Sequence, residues 1–598
     1  MPDRPHSHRR HRPSKPGSLI SAANGAAELI RRAYDEYATS FLQITRRAKS
    51  RFETRDWRGN RQDAIERFDL YENVLADIAV AMTREFGPLA LDRVFWVSVK
   101  RSFAKLSMKQ HDTELMETFF NSVTRKILMT VGIDREIEFF RLEPPPTEHS
   151  DAQVFRRYVL SGSSRSLIEA ILRDFRFAVD YENLNRDAQR VADEVDLYLW
   201  PIASYDRFES IDVVASPFYR NKVAYIVGRV NAGGRYVPLV LPLYNERTGI
   251  YVDTVLLSER DASIVFGFAN SYFHVEVQRH GPLIEFLRSI LPEKPVAELY
   301  SSLGYNKHGK TEFYRSLHHF IHESKERFVI APGKEGAVMI GFTFPDFEYV
   351  FKVIKDRPCF LRSGDITTKQ TSQEDVRRHY DFVCHRDRVG RMVDTQEFEN
   401  LQFKKKRFSE GLLRELKLAA RESVTIDHNY VIINHMYVQR KVLPIPMFLN
   451  QTSDPEEIRS VILDFGYFLK DLAATGIFPY DLFNTWNYGV TRRSRVVLFD
   501  YDDVQPLERA NFRIKPEPRD NNEEMLPDEE RISPKSDDFY LDEIERFSGI
   551  PLPLKGVFDA VHANLYLQSF WRQMQRRVKR GEIVDIVPYD RSKRFQRK

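Results

Sequence analysis

The chain is short of cysteine, of long apolar runs and of any net basic excess outside its first residues, and each shortage removes a class of function. Two cysteines in 598 residues, Cys359 and Cys384, can build neither a disulfide framework nor a cysteine-rich zinc site; a reducing, cytoplasmic compartment fits them. No apolar stretch approaches the roughly twenty residues that cross a bilayer, so no membrane partner is expected. The formal charge of +4 is accounted for by Met1 to Pro16, where Arg4, Arg9, Arg10, Arg12 and Lys15 face Asp3 alone. The remainder is formally neutral and offers no electrostatic footprint for nucleic acid.

What is present is an ordinary globular composition, 42% hydrophobic and 29% charged, in a chain long enough for two or three domains. Residues 1–18 read as a disordered basic tail. Apolar spacing of three and four predicts helices over 26–52 and 61–86, with a loop at Pro144-Pro145-Pro146. Between 211 and 277 the signal turns to runs such as Val223–Val227 and Tyr236–Val240 around the turn Asn231–Gly234, which predicts a small antiparallel sheet inside a helical region. Helices resume near Pro282 and a second domain starts near Glu326. Residues 505–542 read as a solvated linker or as a docking loop for a protein substrate, 552–580 as one helix, and 586–598 as a basic tail. There are no internal repeats.

Four short segments in the second half carry chemistry. Ala331-Pro332-Gly333-Lys334-Glu335-Gly336-Ala337 is a glycine-bearing turn between the expected strands 327–330 and 338–342. Backbone N–H groups of such a turn can cover phosphates. Lys352 sits in the apolar strand Tyr349–Lys355, with Val350 and Ile354 sharing its face. If that face is buried the ammonium needs an anion; otherwise it is a snorkelling surface lysine. Asp481 and Asn487 lie in a loop after Phe478-Pro479, and the apolar run Arg495–Phe499 ends in Asp500, Asp502 and Asp503. Carboxylates at a strand mouth suit a hard cation, although Asp and Asn are also common turn formers. It is the order of the four segments, with Asp481 and Asp500 nineteen residues apart, that points to a protein-kinase phosphoryl-transfer site. In it Lys352 pairs phosphates, Asp500 and Asn487 hold Mg²⁺, and Asp481 orients the acceptor hydroxyl.

Longer strings are more specific. Ala331–Gly336, Tyr349–Asp356, Asp387–Asn400 and Gly476–Asp481, together with Phe218–Arg229 and Gly304–Arg315 far outside the kinase-like part, closely resemble the bacterial isocitrate dehydrogenase kinase/phosphatase family from about residue 20 to 590. The resemblance implies an α+β chain: a mainly helical regulatory domain (19–325) with a small antiparallel sheet, then a bilobal protein-kinase-like domain (326–585). It implies an enzyme that phosphorylates isocitrate dehydrogenase with ATP and Mg²⁺ (or Mn²⁺) and removes the phosphate again, switching flux between the citric acid cycle and the glyoxylate bypass. AMP is implied as allosteric effector, and a homodimer is compatible with it. Asp394 matches a family residue assigned to phosphate removal; read locally, Asp394 followed by Glu397 is a capping box at a helix start. The catalytic loop departs from the family pattern, being one residue longer and carrying Trp486 where a lysine is expected. Asn487 matches by its distance from Gly489, and Asn484 is the alternative.

Two competing readings follow from the same residues. Gly304-x4-Gly309-Lys310-Thr311 fits the P-loop pattern, yet the preceding Val296–Leu303 is helix-like rather than a buried strand. A non-catalytic nucleotide sensor that binds isocitrate dehydrogenase is the other, supported by the altered loop around Trp486.

Overall fold

A computed structural model describes residues 16–108, 110, 112–143, 154–201, 208–267, 272–333, 336–360, 369–482, 484–514, 538–541 and 550–596. The basic N-terminal segment up to residue 15, the triple-proline loop and most of the linker or docking loop lie outside them. The chain forms two compact units, residues 1–43 with 67–141 and residues 44–66 with 142–598.

The first unit is helical. The two long periodic segments form the helices Pro16–Thr54, which continues into the second unit, and Trp57–Phe86; Arg93–Ser107 and Thr113–Leu128 follow. Their apolar faces meet in an aromatic core: Tyr37 and Tyr71 pack edge to face at 5.2 Å, and Phe103 lies 4.8 Å from Phe120. Burial of such rings, with edge-to-face geometry, is the main stabilising term.

The second unit holds two six-stranded antiparallel sheets. In the first, β1 (Phe155–Val159), β2 (Ser210–Val214), β4 (Val223–Ala232), β5 (Arg235–Glu246) and β6 (Gly249–Val252) lie in that order, and β3 (Phe218–Arg220) pairs with β4. A two-residue Gly233-Gly234 turn with both φ angles positive joins β4 to β5. Nearly all of β4 and β5 is buried on both faces, so these strands read as continuous apolar runs. The helices Ser164–Asp174 and Leu184–Leu199 contribute Ile168, Ile171, Val191 and Val195 to the core on this sheet. Residues 589–595 return to it: Arg594 donates three hydrogen bonds to Asp253 at 2.9–3.0 Å, Tyr589 donates to Asp253 at 2.6 Å and Phe595 packs on the same core.

The second sheet contains β7 (Val329–Ile330), β8 (Met339–Thr343) and β9 (Tyr349–Ile354). After the short pair β10 (Cys359–Phe360) and β11 (Lys369–Gln370) it is completed by β12 (Thr395–Lys404), β13 (Val424–Ile426) and β14 (Tyr430–Arg440). One face is closed by Phe328, Phe342, Phe351, Phe403 and Phe408. The helix Gln373–Arg386, started by a capping box at Ser372 and Asp375, packs on the other. Small pairings follow: β15 (Leu443–Pro444), β17 (Tyr488–Val490) and β18 (Val496–Leu498) form one sheet, and β16 (Ile477–Pro479) pairs with β19 (Val504–Pro506). Finally β20 (Asn511–Arg513) runs parallel to β21 (Asp538–Tyr540).

Two sequence expectations are corrected. Residues 395–404 are strand β12, so Asp394 caps no helix: the register Gln396↔Val438 to Lys404↔Tyr430 outweighs a four-residue capping pattern. Nor is 552–580 one helix. It divides into Leu552–His562, the 3-10 turn Ala563–Tyr566 and Gln568–Lys579, with Leu567 extended. The break contains no Gly or Pro; it lets Trp571 Nε1 donate to Leu565 O at 2.7 Å inside the core. No helix among the described residues is long and apolar enough to cross a membrane.

Candidate active site

The segment Val496–Val504 gathers the residues singled out in the sequence. The helix Pro455–Thr475 starts on an Asp454 cap with Pro455 next and ends at Gly476, whose φ of +78° suits glycine. The chain then enters β16. Its ladder with β19 carries Asp481 beside the far end of the acidic cluster, where Tyr480 N donates to Asp503 O at 3.1 Å. The β17–β18 ladder does the same for Asn487, whose carbonyl accepts from Phe499 N at 3.4 Å, one residue before Asp500. Lys352, on the central strand β9 between Gly341 and Tyr437, donates from Nζ to Phe499 O at 2.8 Å and lies 5.3 Å from the Phe499 ring. Its strand neighbours Phe351 and Val353 fill the closed face, so Lys352 looks toward the acidic cluster.

Asp394 joins from a different direction. Met392 forms a parallel bridge with Leu498, Val393 N donates to Leu498 O at 3.0 Å, and the Tyr501 hydroxyl donates to Val393 O. Behind this junction the buried Arg391 guanidinium bonds Asp464 at 2.7 and 2.8 Å, Asp471 at 2.9 Å and Val496 O at 3.2 Å. Removing one partner of such a buried set typically costs about 3–5 kcal/mol, so this network fixes where Asp394 and Asp500 stand.

The acidic cluster offers carboxylate oxygens that a cation could take. Burial, then the like charge of Asp500, pushes the Asp502 carboxyl well above its ordinary range, with Lys352 acting the other way. Asp502 Oδ1 is buried with no hydrogen-bond partner among the described residues. Close carboxylates with an unsatisfied oxygen form the donor set that a hard divalent ion takes. Burial also pushes Asp394 up to about 6, assisted by Glu298 and opposed by its bond from Gln396 Nε2 at 3.2 Å and by Lys310 and Lys294.

The two asparagines of the loop differ. The Asn484 side chain caps the turn Thr485–Asn487 by accepting from Trp486 N, whereas the Asn487 amide makes no such bond among the described residues. Ala331, Pro332, Gly333, Gly336 and Ala337 form the connection from β7 to β8, as expected; Lys334 and Glu335 lie outside the described residues. Gly333 has φ +131°, and a Cβ on Gly336 would stand 2.6 Å from Met339 O.

The P-loop pattern has another explanation. Gly309 lies within the helix Asn306–Glu323, where a Cβ would meet Ala297 O at 2.7 Å, so the glycine allows two helices to touch. Lys310 Nζ is bonded to Glu397 O at 2.7 Å. Lys352→Ala is therefore expected to weaken ATP binding about tenfold or more, and Lys310→Ala to leave it within a few-fold of the parent. Nucleotide titrations giving the reverse order would move the phosphate site.

Local sequence did not reveal the helix Gln373–Arg386 as part of the site. His379 Nδ1 lies 2.6 Å from Asp502 O, and Tyr380 stacks on Tyr437 at 4.1 Å and meets Tyr501 at 5.0 Å. A Tyr380–Tyr437 contact across 57 residues leaves no short-range sequence signal.

Comparison with known proteins divides the chain at residue 326. Residues 27–325 match the family model described as isocitrate dehydrogenase kinase/phosphatase (AceK), regulatory domain, and residues 326–591 match the kinase domain model of that family. Curated proteins named isocitrate dehydrogenase kinase/phosphatase are similar over nearly their whole length. One from Anaeromyxobacter sp. (strain Fw109-5) is 40% identical over 96% of this chain and 98% of its own. One from Xanthomonas euvesicatoria pv. vesicatoria (strain 85-10) is 35% identical over 98% and 99%. One from Photorhabdus laumondii subsp. laumondii is 34% identical over 97% of each.

Proposed function

The chain belongs to the isocitrate dehydrogenase kinase/phosphatase family, and on that premise we propose that both directions of phosphoryl transfer, onto isocitrate dehydrogenase and off it, use the residues gathered around Val496–Val504. It is an α+β enzyme that uses ATP, with isocitrate dehydrogenase as its protein substrate. The observation that carries the site is that Asp394, Asp481 and Asn487, through separate backbone pairings, and Lys352, through its side chain, converge on the nine-residue segment that holds Asp500.

In this reading Asp500 is the principal ligand for Mg²⁺ (or Mn²⁺), Asn487 the second, and the connection 331–337 covers the phosphates. Bound there, ATP and the metal supply the transferable group and compensate its charge. Lys352 pairs with phosphate oxygens. Asp481 orients the acceptor hydroxyl in the forward direction, and Asp394, with its raised carboxyl pKa, takes the proton of the attacking water in the reverse direction. Trp486 in place of a lysine removes one cation from the transferred group and bears on the ratio of the two rates.

Regulation and setting complete the proposal. Residues 19–325 act as the regulatory domain and 326–585 as the catalytic one, in the cytoplasm, at the branch between the citric acid cycle and the glyoxylate bypass, without nucleic acid or membrane; a homodimer is compatible with this. AMP, as effector, must bind the kinase and phosphatase states with different affinity, because equal affinity shifts no population. Incubation with isocitrate dehydrogenase, Mg²⁺ and radiolabelled ATP should label the substrate and, after ATP is withdrawn, release the label. Saturating AMP should favour release, and an unchanged ratio would remove AMP from the scheme. The non-catalytic sensor is not favoured; it requires no ATP hydrolysis in the absence of protein substrate, and measurable hydrolysis would dismiss it.

A further inference from the structure

A water-activating base must be ionised, and the charges that act on Asp394 come from residues 294–310, within the stretch that matches the regulatory-domain model. The ladder of β12 with β14 shows how they meet. Its last pair at this end is Thr395↔Gln439, tied by Gln439 Nε2 donating to Thr395 Oγ1 at 2.7 Å. Asp394 precedes Thr395 and Arg440 follows Gln439, so both leave the ladder at the same end. Arg440 Nη1 donates to Glu298 at 2.7 Å and its Nη2 to Glu348 at 3.0 Å. Glu298, on the short helix Val296–Ser302, also accepts from Lys294 Nζ at 3.0 Å. The side chain of Glu298 is 17% exposed and that of Lys294 4%, so a largely buried carboxylate is clamped by two cations where Asp394 stands.

Stability does not account for such a clamp, because an ion pair taken out of water is often no better than apolar side chains in its place. What it supplies is a fixed negative charge. Burial works against the Glu298 carboxylate, but Lys294 and Arg440 outweigh it and hold the group below its ordinary range. After burial, Glu298 is the largest influence that disfavours ionisation of Asp394, while Lys310 and Lys294 favour it. Other titratable groups that feel Asp394 are Tyr349 on β9, Cys384 on the helix Gln373–Arg386, and Tyr501. Burial pushes all three up, so they keep their protons while Asp394 titrates.

We propose that Glu298 is a positioning residue for phosphate removal: clamped by Arg440 and Lys294, it is a fixed negative charge that acts on the reaction only through Asp394 and governs when that side chain can serve as base. The inference rests on Asp394 being the water-activating group. Phosphate release from phosphorylated isocitrate dehydrogenase by the full chain should be followed from pH 5 to pH 8 for the parent, Glu298→Gln and Lys294→Gln, with melting temperatures recorded alongside. In the parent the rate should rise through about pH 6. Glu298→Gln removes the repelling charge, so the rise should move to lower pH, and the variant should keep about two- to threefold more of its plateau rate at pH 5 than the parent does. Lys294→Gln removes a cation that favours the Asp394 carboxylate, so its rise should move to higher pH. Lost packing lowers a plateau but does not move the rise in opposite directions in two variants. A rise that stays at the parental pH in both, or moves the same way in both, overturns the inference while leaving Asp394 as base. Should Glu298→Gln not fold, an unmoved rise in Lys294→Gln overturns it alone. A parent with no rise near pH 6, or an Asp394→Asn variant that still removes phosphate, removes the base assignment and this inference with it.

Discussion

Asp500→Ala is expected to leave a folded chain whose phosphoryl transfer to isocitrate dehydrogenase is slower by about 10² or more, roughly 2.7 kcal/mol or more of lost transition-state stabilisation. The fold should survive because Asp500 is a source of repulsion: its charge is the second cause, after burial, of the raised pKa at Asp502. Removing it leaves Asp502 with Lys352 as the charge that lowers its pKa, so thermal stability should be unchanged or slightly higher. The hydrogen bond from Lys352 ends on the Phe499 carbonyl, not on Asp500, and remains in the variant. Activity falls because the metal loses the carboxylate proposed as its principal ligand. Near-normal turnover in a variant with a parental melt would end the assignment of Asp500 as principal ligand.

Why so much of this site can be read in the sequence, and some cannot, follows from the range of the forces involved. The acidic cluster ends a strand of buried Val496, Val497 and Leu498, and Lys352 is flanked by buried apolar residues, so each announces itself within about six residues. Likewise the long helices of the first unit follow from apolar periodicity alone. Asp394 is different. Its local pattern fits a helix cap, and only the pairing of β12 with β14, some forty residues away, puts it one residue before a strand. The helix break at Ala563–Tyr566 is similarly imposed by the burial of Trp571. The side chains of His379 and Tyr380 reach the acidic segment through tertiary packing that no window of the sequence contains.

That same displacement from local pattern gives Asp394→Asn two expected effects in opposite directions. The folded chain holds the Asp394 proton up to about pH 6, against an ordinary value of 3.8, because burial and Glu298 disfavour the carboxylate. Between those values the folded state binds more protons than the unfolded one, so stability falls as pH rises through this window and stays reduced above it. An asparagine carries no such charge; it should stabilise the chain by roughly 1–3 kcal/mol at pH 7.5 and by little near pH 4. A water-activating base must be ionised, so phosphate removal in the parent should rise with pH through about 6, and the variant should lose most of that activity. Kinase activity, for which Asp481 is the proposed acceptor-orienting group, should be largely retained. A capping role is already removed by strand β12, so the remaining structural alternative is support of the Met392–Leu498 junction. The two roles separate cleanly: a variant more stable at pH 7.5 that still removes phosphate from isocitrate dehydrogenase would transfer the base to Asp502 or Asp481. One that loses both activities together would make Asp394 a support of the junction.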